Sequence, residues 1–218
     1  YTKQDLATIT ATDETMQRNI AILNQMFGIK DTIPEVLEEL NNGIKYYTEQ
    51  LNYNLNKDFN GRESVGDDPY DFTDVDYGNG NPMNRVDDES HGTHVAGIIG
   101  AERNNGIGVN GVANNVAIMS IRAVPNGDEY DKDIARGIRY AVDNGARIIN
   151  GSFGKSFSPN AQWVYDAIKY AADNNVLFVH AAGNDGADLD NPVNANFPND
   201  QVNNGPESGY RYDGLYYV

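Results

Sequence analysis

The chain has 218 residues, of which 39% are hydrophobic and 22% are charged, and it contains no cysteine. A chain of this length and composition can bury the core of one soluble domain, and without cysteine it has neither a disulfide framework nor a thiolate metal site. Its 32 acidic and 16 basic side chains give a formal charge of −16. This charge argues against nucleic acid as a partner and against a polybasic membrane anchor, because both need clustered lysine and arginine.

No apolar run approaches the roughly 20 residues that span a bilayer, so the sequence predicts no membrane span. The chain begins at Tyr1 rather than at methionine. We therefore interpret it as a piece of a longer polypeptide, whose targeting signals would lie outside this piece.

Residues 1–57 are predicted to be helical. In ETMQRNIAILNQMF (14–27) the apolar residues recur at helical spacing. After Thr32, Pro34 suits the first turn of a second helix, and an apolar stripe continues as far as Leu51. We predict a helical hairpin that carries no chemistry of its own.

Residues 58–90 have the composition of a loop, with ten acidic residues, two arginines and frequent Gly, Asn and Pro. The aspartates between Asp67 and Asp76 have spacing that oxygen coordination of calcium would allow, but the closing glutamate of an EF-hand is missing. A solvated acidic loop is the favoured interpretation, and calcium binding is the alternative.

Residues 91–202 alternate between apolar helical segments and β-rich segments. In chain order the predicted helices are 91–101, 131–145 and 160–175, and the predicted strands are 115–124, 146–152 and 176–184. This alternation predicts right-handed crossovers and a parallel sheet in an α/β fold, with function at the carboxyl ends of the strands. Residues 203–218, rich in Asn, Gly, Pro and Tyr, have no clear period and are predicted to be an irregular tail.

The stretch ESHGTHVAGIIG (89–100) holds two of the three histidines, His91 and His94. With His180 they would make a three-histidine zinc site, but the zincin pattern places its histidines at i and i+4 with a glutamate between them, unlike this stretch. In the structural interpretation both rings are satisfied by local hydrogen bonds. We favour that interpretation for His94, which lies inside the apolar run.

The third interpretation is that His91 acts as a general base at the mouth of a helix. Small residues such as Gly92 let that helix approach neighbouring backbone closely, which fixes the direction of the ring. The positive potential of a helix N-terminus disfavours the imidazolium form and leaves the ring able to accept a proton. Because the ring becomes cationic during such a reaction, the site also needs a carboxylate behind it.

Three motifs in chain order resemble those of the subtilisin-like serine proteases, the subtilase or peptidase S8 family. They are HGTHVAG (91–97), IINGSFG (148–154) and HAAGNDG (180–186). The second is similar to the family's substrate-binding strand, Asn-x-Ser-Leu-Gly, with Phe153 in place of leucine. The third is similar to its oxyanion segment, Ala-Ala-Gly-Asn followed by an acidic residue and Gly. The similarity covers roughly residues 85–200.

The resemblance implies a three-layer α/β/α fold with a mostly parallel sheet, here incomplete and carrying an N-terminal helical insertion. It implies that His91 is the general base and acid, and that Asn184 donates a hydrogen bond to the oxyanion of the tetrahedral intermediate. It also implies that two short segments bind the substrate, with the residues Ser152, Phe153, Gly154, Ala181, Ala182 and Gly183. Small residues on both walls predict an open, mostly apolar slot for the side chain before the scissile bond.

The chain departs from the family pattern at two catalytic positions. The family's serine lies in Gly-Thr-Ser-x-Ala beyond the oxyanion segment, whereas the only serine after Asn184 is Ser208, in GPESGYR. The family's aspartate ends an apolar strand, and no such strand precedes His91. We therefore predict the central part of a subtilase catalytic domain, made of a helical insertion (1–57), an acidic loop (58–90), an α/β core (91–202) and an irregular tail (203–218).

Two functions are compatible with these residues. The first is a fragment of a serine endopeptidase that hydrolyses peptide bonds in proteins through a Ser-His-Asp triad, with Ser and Asp outside this chain, so that the chain alone is inactive. The alternative is a noncatalytic protein that keeps a subtilase-like cleft to bind peptides. The enzyme is favoured because a binding module needs neither His91 nor Asn184.

The resemblance also bears on cofactors, partners and location. It implies a peptide or protein substrate, no required cofactor, and a secreted or cell-envelope location. Calcium is compatible with it because many relatives bind calcium, but the residues that would act as ligands are not identified by the sequence.

Overall fold

The computed structural model describes residues 2–85, 89–199 and 215–217, the last three by their backbone alone. The chain divides into two compact units, Tyr1–Gly61 and Arg62–Val218. Among the described residues, no helix combines the length and the apolar composition that are needed to cross a bilayer.

The first unit is helical, which confirms the prediction for this part of the chain. Its helices are α1 (Lys3–Ala7), α2 (Glu14–Met26) and α3 (Ile33–Glu49), and α3 continues into a π-helical turn, Gln50–Asn54. A capping box starts α3: the Glu35 N–H donates to Thr32 Oγ1 (3.4 Å), and the Thr32 N–H donates to the Glu35 carboxylate (3.0 Å).

The second unit contains a small parallel sheet and three helices. Its elements are α4 (His91–Gly100), α5 (Asp131–Asp143), β1 (Ile148–Gly151), α6 (Ala161–Asp173), β2 (Leu177–His180), a 3₁₀ turn (Pro192–Asn194) and β3 (Leu215–Tyr217). The strand order is β1-β2-β3, with β2 in the middle and both pairs parallel. The chain runs from β1 through α6 to β2, so the predicted α/β alternation is confirmed for this part of the chain.

Helices α5 and α6 pack together over β2 and form the core of this unit. Acidic residues Asp131 and Asp133 lie in the first turn of α5, where the helix dipole favours negative charge. The buried cluster consists of Ile134, Ala135, Ile138, Val164, Tyr165, Ala167, Ile168, Ala171, Val176 and Phe178. Each of its large aliphatic or aromatic side chains contributes about 1.5–3 kcal/mol by leaving water, so burial of this cluster stabilises the second unit.

The structure differs from the prediction in two segments. Residues 115–124, predicted as a buried strand, form no strand, and apolar side chains such as Val116 and Ile118 are about half exposed. A strand needs a hydrogen-bonded neighbour, and none of the described strands lies beside this segment. Conversely, residues 215–217, predicted as part of an irregular tail, form β3 because β2 offers them a parallel edge. The rest of that tail lies outside the described residues.

A buried charged cluster anchors the acidic loop to the start of α5. Arg62 donates from Nη1 and Nη2 to the two carboxylate oxygens of Asp133 (2.6 and 3.1 Å) and from Nε to Asp67 Oδ1 (2.7 Å). Lys132 Nζ donates to Asp67 Oδ2 (2.7 Å) and to the main-chain carbonyl of Asp68 (2.8 Å). The Tyr77 hydroxyl donates to Asp133 Oδ1 (2.8 Å). We call the set Arg62, Asp67, Tyr77, Lys132 and Asp133 the charged cluster.

The charged cluster corrects the prediction that the acidic loop is solvated. The side chains of Asp67 and Lys132 are completely buried, whereas Asp71 and Asp76 are exposed. Burial alone would raise the pKa of Asp67, but hydrogen bonds from Arg62 and Lys132 outweigh it and hold that pKa below its usual value. The loop is therefore fixed at Asp67 by compensated buried charge and solvated only at its outer positions.

Candidate functional site

Two short segments follow the carboxyl ends of the neighbouring strands β1 and β2. They are residues 152–154 and residues 181–183, the two predicted walls of the substrate slot. The Ala181 N–H donates to the carbonyl oxygen of Gly151 (3.2 Å), so the pairing of β1 with β2 extends into the start of the second segment. The structure thus brings both predicted walls to one edge of the parallel sheet, where binding sites of α/β folds form.

Asn184 lies directly after the second wall. Gly183 has φ of +90°, in the region where residues with a side chain are strained, so glycine is required for the chain to turn before Asn184. The Asn184 side chain is exposed and makes no hydrogen bond to another described residue. It is therefore available to donate to a ligand.

Aromatic side chains of β2 pack against Phe153, the central residue of the first wall. The Phe153 ring lies 5.7 Å from the His180 ring in an edge-to-face arrangement, and His180 stacks on Phe178 with 6.2 Å between centroids. His180 is completely buried, and this burial lowers its pKa to about 4, although a backbone hydrogen bond with Phe153 acts in the opposite direction. His180 is thus a neutral core side chain that fixes the position of Phe153.

A second polar cluster holds the chain just after the first wall. Lys155 Nζ donates to the carbonyl oxygen of Glu129 (2.6 Å) and forms an ion pair with Asp131 (2.8 Å), which also accepts from Ser158 Oγ (2.6 Å). A cavity of about 10 Å³, room for a single water molecule, lies among these side chains and Phe153. Burial raises the pKa of the Glu129 carboxyl above its usual value, and the opposing effect of the Lys155 ammonium does not cancel this rise.

Asn196 contacts both walls of the slot. Its Nδ2 donates to the carbonyl oxygen of Ala181 (3.1 Å), and its Oδ1 lies close to Gly154, where a Cβ atom would come within 2.3 Å of it. The sequence motifs did not indicate this residue. It lies outside the three motifs, in NPVNANFPND, and nothing in its local pattern indicates a contact with residues 42 and 15 positions earlier.

His91 is the first residue of α4, as predicted, and its side chain is exposed. The His91 side chain makes no hydrogen bond to another described residue, including Asn184 and the residues of the two walls. That His91 lies close to Asn184 and to the walls stays a prediction. His94 is also exposed, and none of the residues of α4 is buried. The hydrogen bonds that were predicted to satisfy the His94 ring are not seen among the described residues. His180 differs from both in being completely buried, and the described residues contain no group of three side chains arranged to hold a metal ion.

The segments 152–154 and 181–183 follow neighbouring parallel strands, which is where α/β folds usually bind their ligands. The chain belongs to the subtilase family: the family model described as Peptidase_S8, Subtilase family, matches residues 35–208. The match spans the motif stretches around His91, Gly154 and Asn184.

Individual relatives are similar over parts of the chain. The thermophilic serine proteinase of Bacillus sp. (strain AK1) is 44% identical over 119 residues, which cover 54% of this chain and 28% of that protein. The minor extracellular protease Epr of Bacillus subtilis (strain 168) is 40% identical over 101 residues, covering 46% of this chain and 15% of that protein. A solved structure, described as S41 psychrophilic protease, is 31% identical and covers 66% of this chain and 49% of its own, with a TM-score of 0.47. The matched parts thus span 28%, 15% and 49% of the lengths of these three proteins.

Proposed function

We propose that this chain is the central part of the catalytic domain of a subtilisin-like serine endopeptidase that hydrolyses peptide bonds in proteins. The observation that carries this proposal is the junction of the two walls, residues 152–154 and 181–183, at one edge of a parallel sheet in a subtilase chain. His91 and Asn184 are the catalytic residues in this proposal, and the six wall residues bind the substrate.

In the proposed reaction a serine hydroxyl attacks the scissile carbonyl carbon. His91 accepts the hydroxyl proton as the carbon–oxygen bond forms, and later gives that proton to the leaving amine. Asn184 donates a hydrogen bond to the carbonyl oxygen as it becomes an oxyanion, which lowers the barrier because the charge exists only in the transition state. The exposed amide after the Gly183 turn supports this role, since it is not committed to another described group.

The substrate lies along the first wall in this proposal. A peptide that pairs with residues 152–154 gains main-chain hydrogen bonds, while the space between the walls selects one of its side chains. The rigid support of Phe153 by His180 and the anchoring of Lys155 by Asp131 favour a preformed groove, which lowers the entropic cost of binding.

The complete fold in this proposal has three layers, α/β/α, around a mostly parallel sheet. Residues 1–57 are an insertion, 58–90 the acidic loop, 91–202 the core and 203–218 the tail. The serine and the aspartate of the triad lie on other parts of the polypeptide, since neither motif occurs in these 218 residues. The proposed chemistry requires no metal or organic cofactor. Calcium is compatible with the proposal, but the sequence does not identify its ligands.

The proposed substrates are peptides and proteins, and the proposed location is outside the cell or in its envelope. One relative is named an extracellular protease, and this name supports the location. The excess of 16 negative charges supports a partner other than nucleic acid.

The proposal is tested with this chain and with the complete polypeptide that contains it. The 218-residue chain should not cleave casein, whereas the complete polypeptide should cleave it and react with a fluorophosphonate, which labels activated serines. Casein cleavage by the chain alone, abolished by His91→Ala, would contradict the placement of the serine. A complete polypeptide that binds peptides but takes no label would instead favour the noncatalytic peptide-binding function.

A further inference from the structure

An exposed apolar stripe runs along one side of α3 and of the π-helical turn that follows it. Its members are between 41% and 70% exposed, and we call them the α3 stripe: Leu37, Leu40, Ile44, Tyr47, Leu51 and Leu55. The Leu55 N–H donates to the carbonyl oxygen of Gln50 (2.8 Å), a bond that closes the π-helical turn. Because such a turn holds more residues than an α-helical one, Leu55 stays in line with Leu51 four residues earlier.

Helix α3 uses little of its apolar surface within the first unit. Among its described residues only Val36 is buried, and Val36 lies in the first turn, before the stripe begins. At roughly 200 Å² for each fully exposed side chain of this size, the six members of the α3 stripe expose about 700 Å² together. The largest apolar patch of a typical monomer is about 300–600 Å², and larger patches mark interaction sites.

The spacing of the α3 stripe indicates that its partner is another helix. From Leu37 to Leu51 the intervals alternate between three and four residues, which averages 3.5. At this repeat the side chains of one helix fit between those of a second helix in a left-handed coiled coil. In that arrangement Leu37, Ile44 and Leu51 take the a positions, and Leu40 and Tyr47 take the d positions.

The residues beside the α3 stripe favour the same helix of a second copy as this partner. The formal charge of −16 makes two copies repel each other over most of their surface. The e and g positions that flank the stripe carry no charge, however: they are Asn41, Gly43, Thr48 and Gln50. The charged residues of α3 lie at the outer positions b, c and f: Glu35, Glu38, Glu39, Lys45 and Glu49. Because charges at e and g select a different partner, their absence permits pairing with an identical helix.

We infer that the α3 stripe joins two copies of this chain through a helix-to-helix interface. Two stripes that cover each other bury roughly 1,400 Å² in total, within the range of about 1,200–2,000 Å² that stable protein interfaces bury. The same residues contribute from both sides, so the contact closes as a dimer and leaves no stripe free for a third copy.

The inference is tested by analytical ultracentrifugation of the 218-residue chain between about 5 and 200 µM, since dimer formation depends on concentration. The unsubstituted chain should become dimeric as its concentration rises. Ile44→Glu should raise the dissociation constant by about 100-fold or more, because it sets a carboxylate in the middle of the apolar interface. Ile44 is 65% exposed in the single chain, so circular dichroism should show unchanged helical content.

Two further variants separate the interface from folding and from general surface charge. Leu51→Glu repeats the change one heptad further along the α3 stripe and should weaken the dimer similarly. Ile148→Glu is the matched control, because Ile148 on β1 is the same residue type with the same exposed fraction, 65%. This control should leave the dissociation constant unchanged.

Three results would overturn the inference. A dimer that survives Ile44→Glu and Leu51→Glu uses another surface, and its loss in Ile148→Glu would place that surface at the edge of β1. An unsubstituted chain that stays monomeric has no such interface, and a lower melting temperature of Ile44→Glu would then assign the α3 stripe to a contact within one chain. A complete polypeptide that stays monomeric while the 218-residue chain dimerises would show that another of its own segments covers the stripe.

Discussion

Asp67 and Lys132 form an ion pair in which both side chains are completely buried, with 2.7 Å between Oδ2 and Nζ. The carboxylate also accepts a hydrogen bond from Arg62, and Lys132 Nζ lies 4.3 Å from the centre of the Tyr77 ring. These partners compensate for the desolvation of the two charges, and through them a loop residue is joined to a helix 65 positions later in the chain.

Removing one member of this pair should be strongly destabilising. Lys132→Met leaves the Asp67 carboxylate buried with one cation fewer, which is expected to lower the free energy of unfolding by about 3–5 kcal/mol. The measurement is urea denaturation followed by circular dichroism. Lys169→Met serves as the matched control because the Lys169–Asp173 pair is exposed, and it should cost less than about 0.5 kcal/mol. Similar losses in the two variants would contradict the buried position of Lys132.

Stability should fall with acid because of His180. Its pKa is about 4 in the folded chain and 6.5 when unperturbed, so between these values the unfolded state binds more protons. The contribution of the neutral ring is fully present above about pH 6.5 and is lost as the pH falls toward 4, by about 3 kcal/mol in total. Urea denaturation at pH 7.5, 5.5 and 4.5 measures this loss.

The variant His180→Leu isolates the effect, because carboxylates also titrate in this range. The difference in unfolding free energy between the unsubstituted chain and His180→Leu should change by most of that amount between pH 7.5 and 4.5. His94→Gln, which alters an exposed histidine, should show no such change. Parallel pH profiles for the chain and for His180→Leu would show that the ring is accessible to protons when folded.

Two glycines of the α4 region should respond to alanine with opposite signs. A Cβ atom at Gly111 would lie 2.4 Å from the Ala101 backbone nitrogen, so Gly111→Ala is expected to cost about 1–3 kcal/mol. At Gly97, inside α4, nothing lies within 4 Å, and Gly97→Ala is expected to stabilise the chain by about 0.5–1 kcal/mol. Thermal unfolding measures both changes, and a loss at Gly97 equal to that at Gly111 would refute the difference in packing.

If the proposed function is right, Asn184→Ala in the complete polypeptide should lower turnover while leaving substrate binding largely intact. The loss of an oxyanion donor costs roughly 10²–10³ in kcat, a magnitude known from subtilisin itself, a member of this family. Steady-state kinetics on a peptide substrate gives kcat and KM separately. Asn144→Ala, which removes a surface amide at the end of α5, is the control and should change neither. A rise in KM with unchanged kcat would assign Asn184 to substrate binding instead.

The regular parts of the second unit could be predicted from sequence because their signals are local. The apolar positions of α5 and α6 recur at helical spacing, and β1 and β2 are short apolar runs that precede the small-residue motifs. Residues 115–124 have the same composition as a strand, but a strand forms only where a neighbour pairs with it, and composition does not reveal whether that neighbour is present.

The missed features depend on contacts between residues that are distant in sequence. Asp67 looked like one of many solvated aspartates, and its burial depends on Lys132 and Arg62 meeting it from two sides. Asn196 lies in a stretch without hydrophobic periodicity, and it contacts Gly154, which lies 42 residues earlier in the chain. The distance between His91 and Asn184 also depends on how segments that are far apart in sequence pack together. The motifs that contain these two residues therefore do not determine that distance.

The outer side of β1 has a consequence for handling the protein. Among the described strands only β2 pairs with β1, and Ile148 is 65% exposed at that edge. An edge strand presents backbone N–H and C=O groups that no neighbouring strand pairs with. Next to an exposed isoleucine, such an edge can pair with the edge strand of another copy of the chain. We therefore expect this chain to aggregate at high protein concentration even at temperatures below its melting temperature. Dilution, or a few lysines added along the exposed edge of β1, should slow this aggregation.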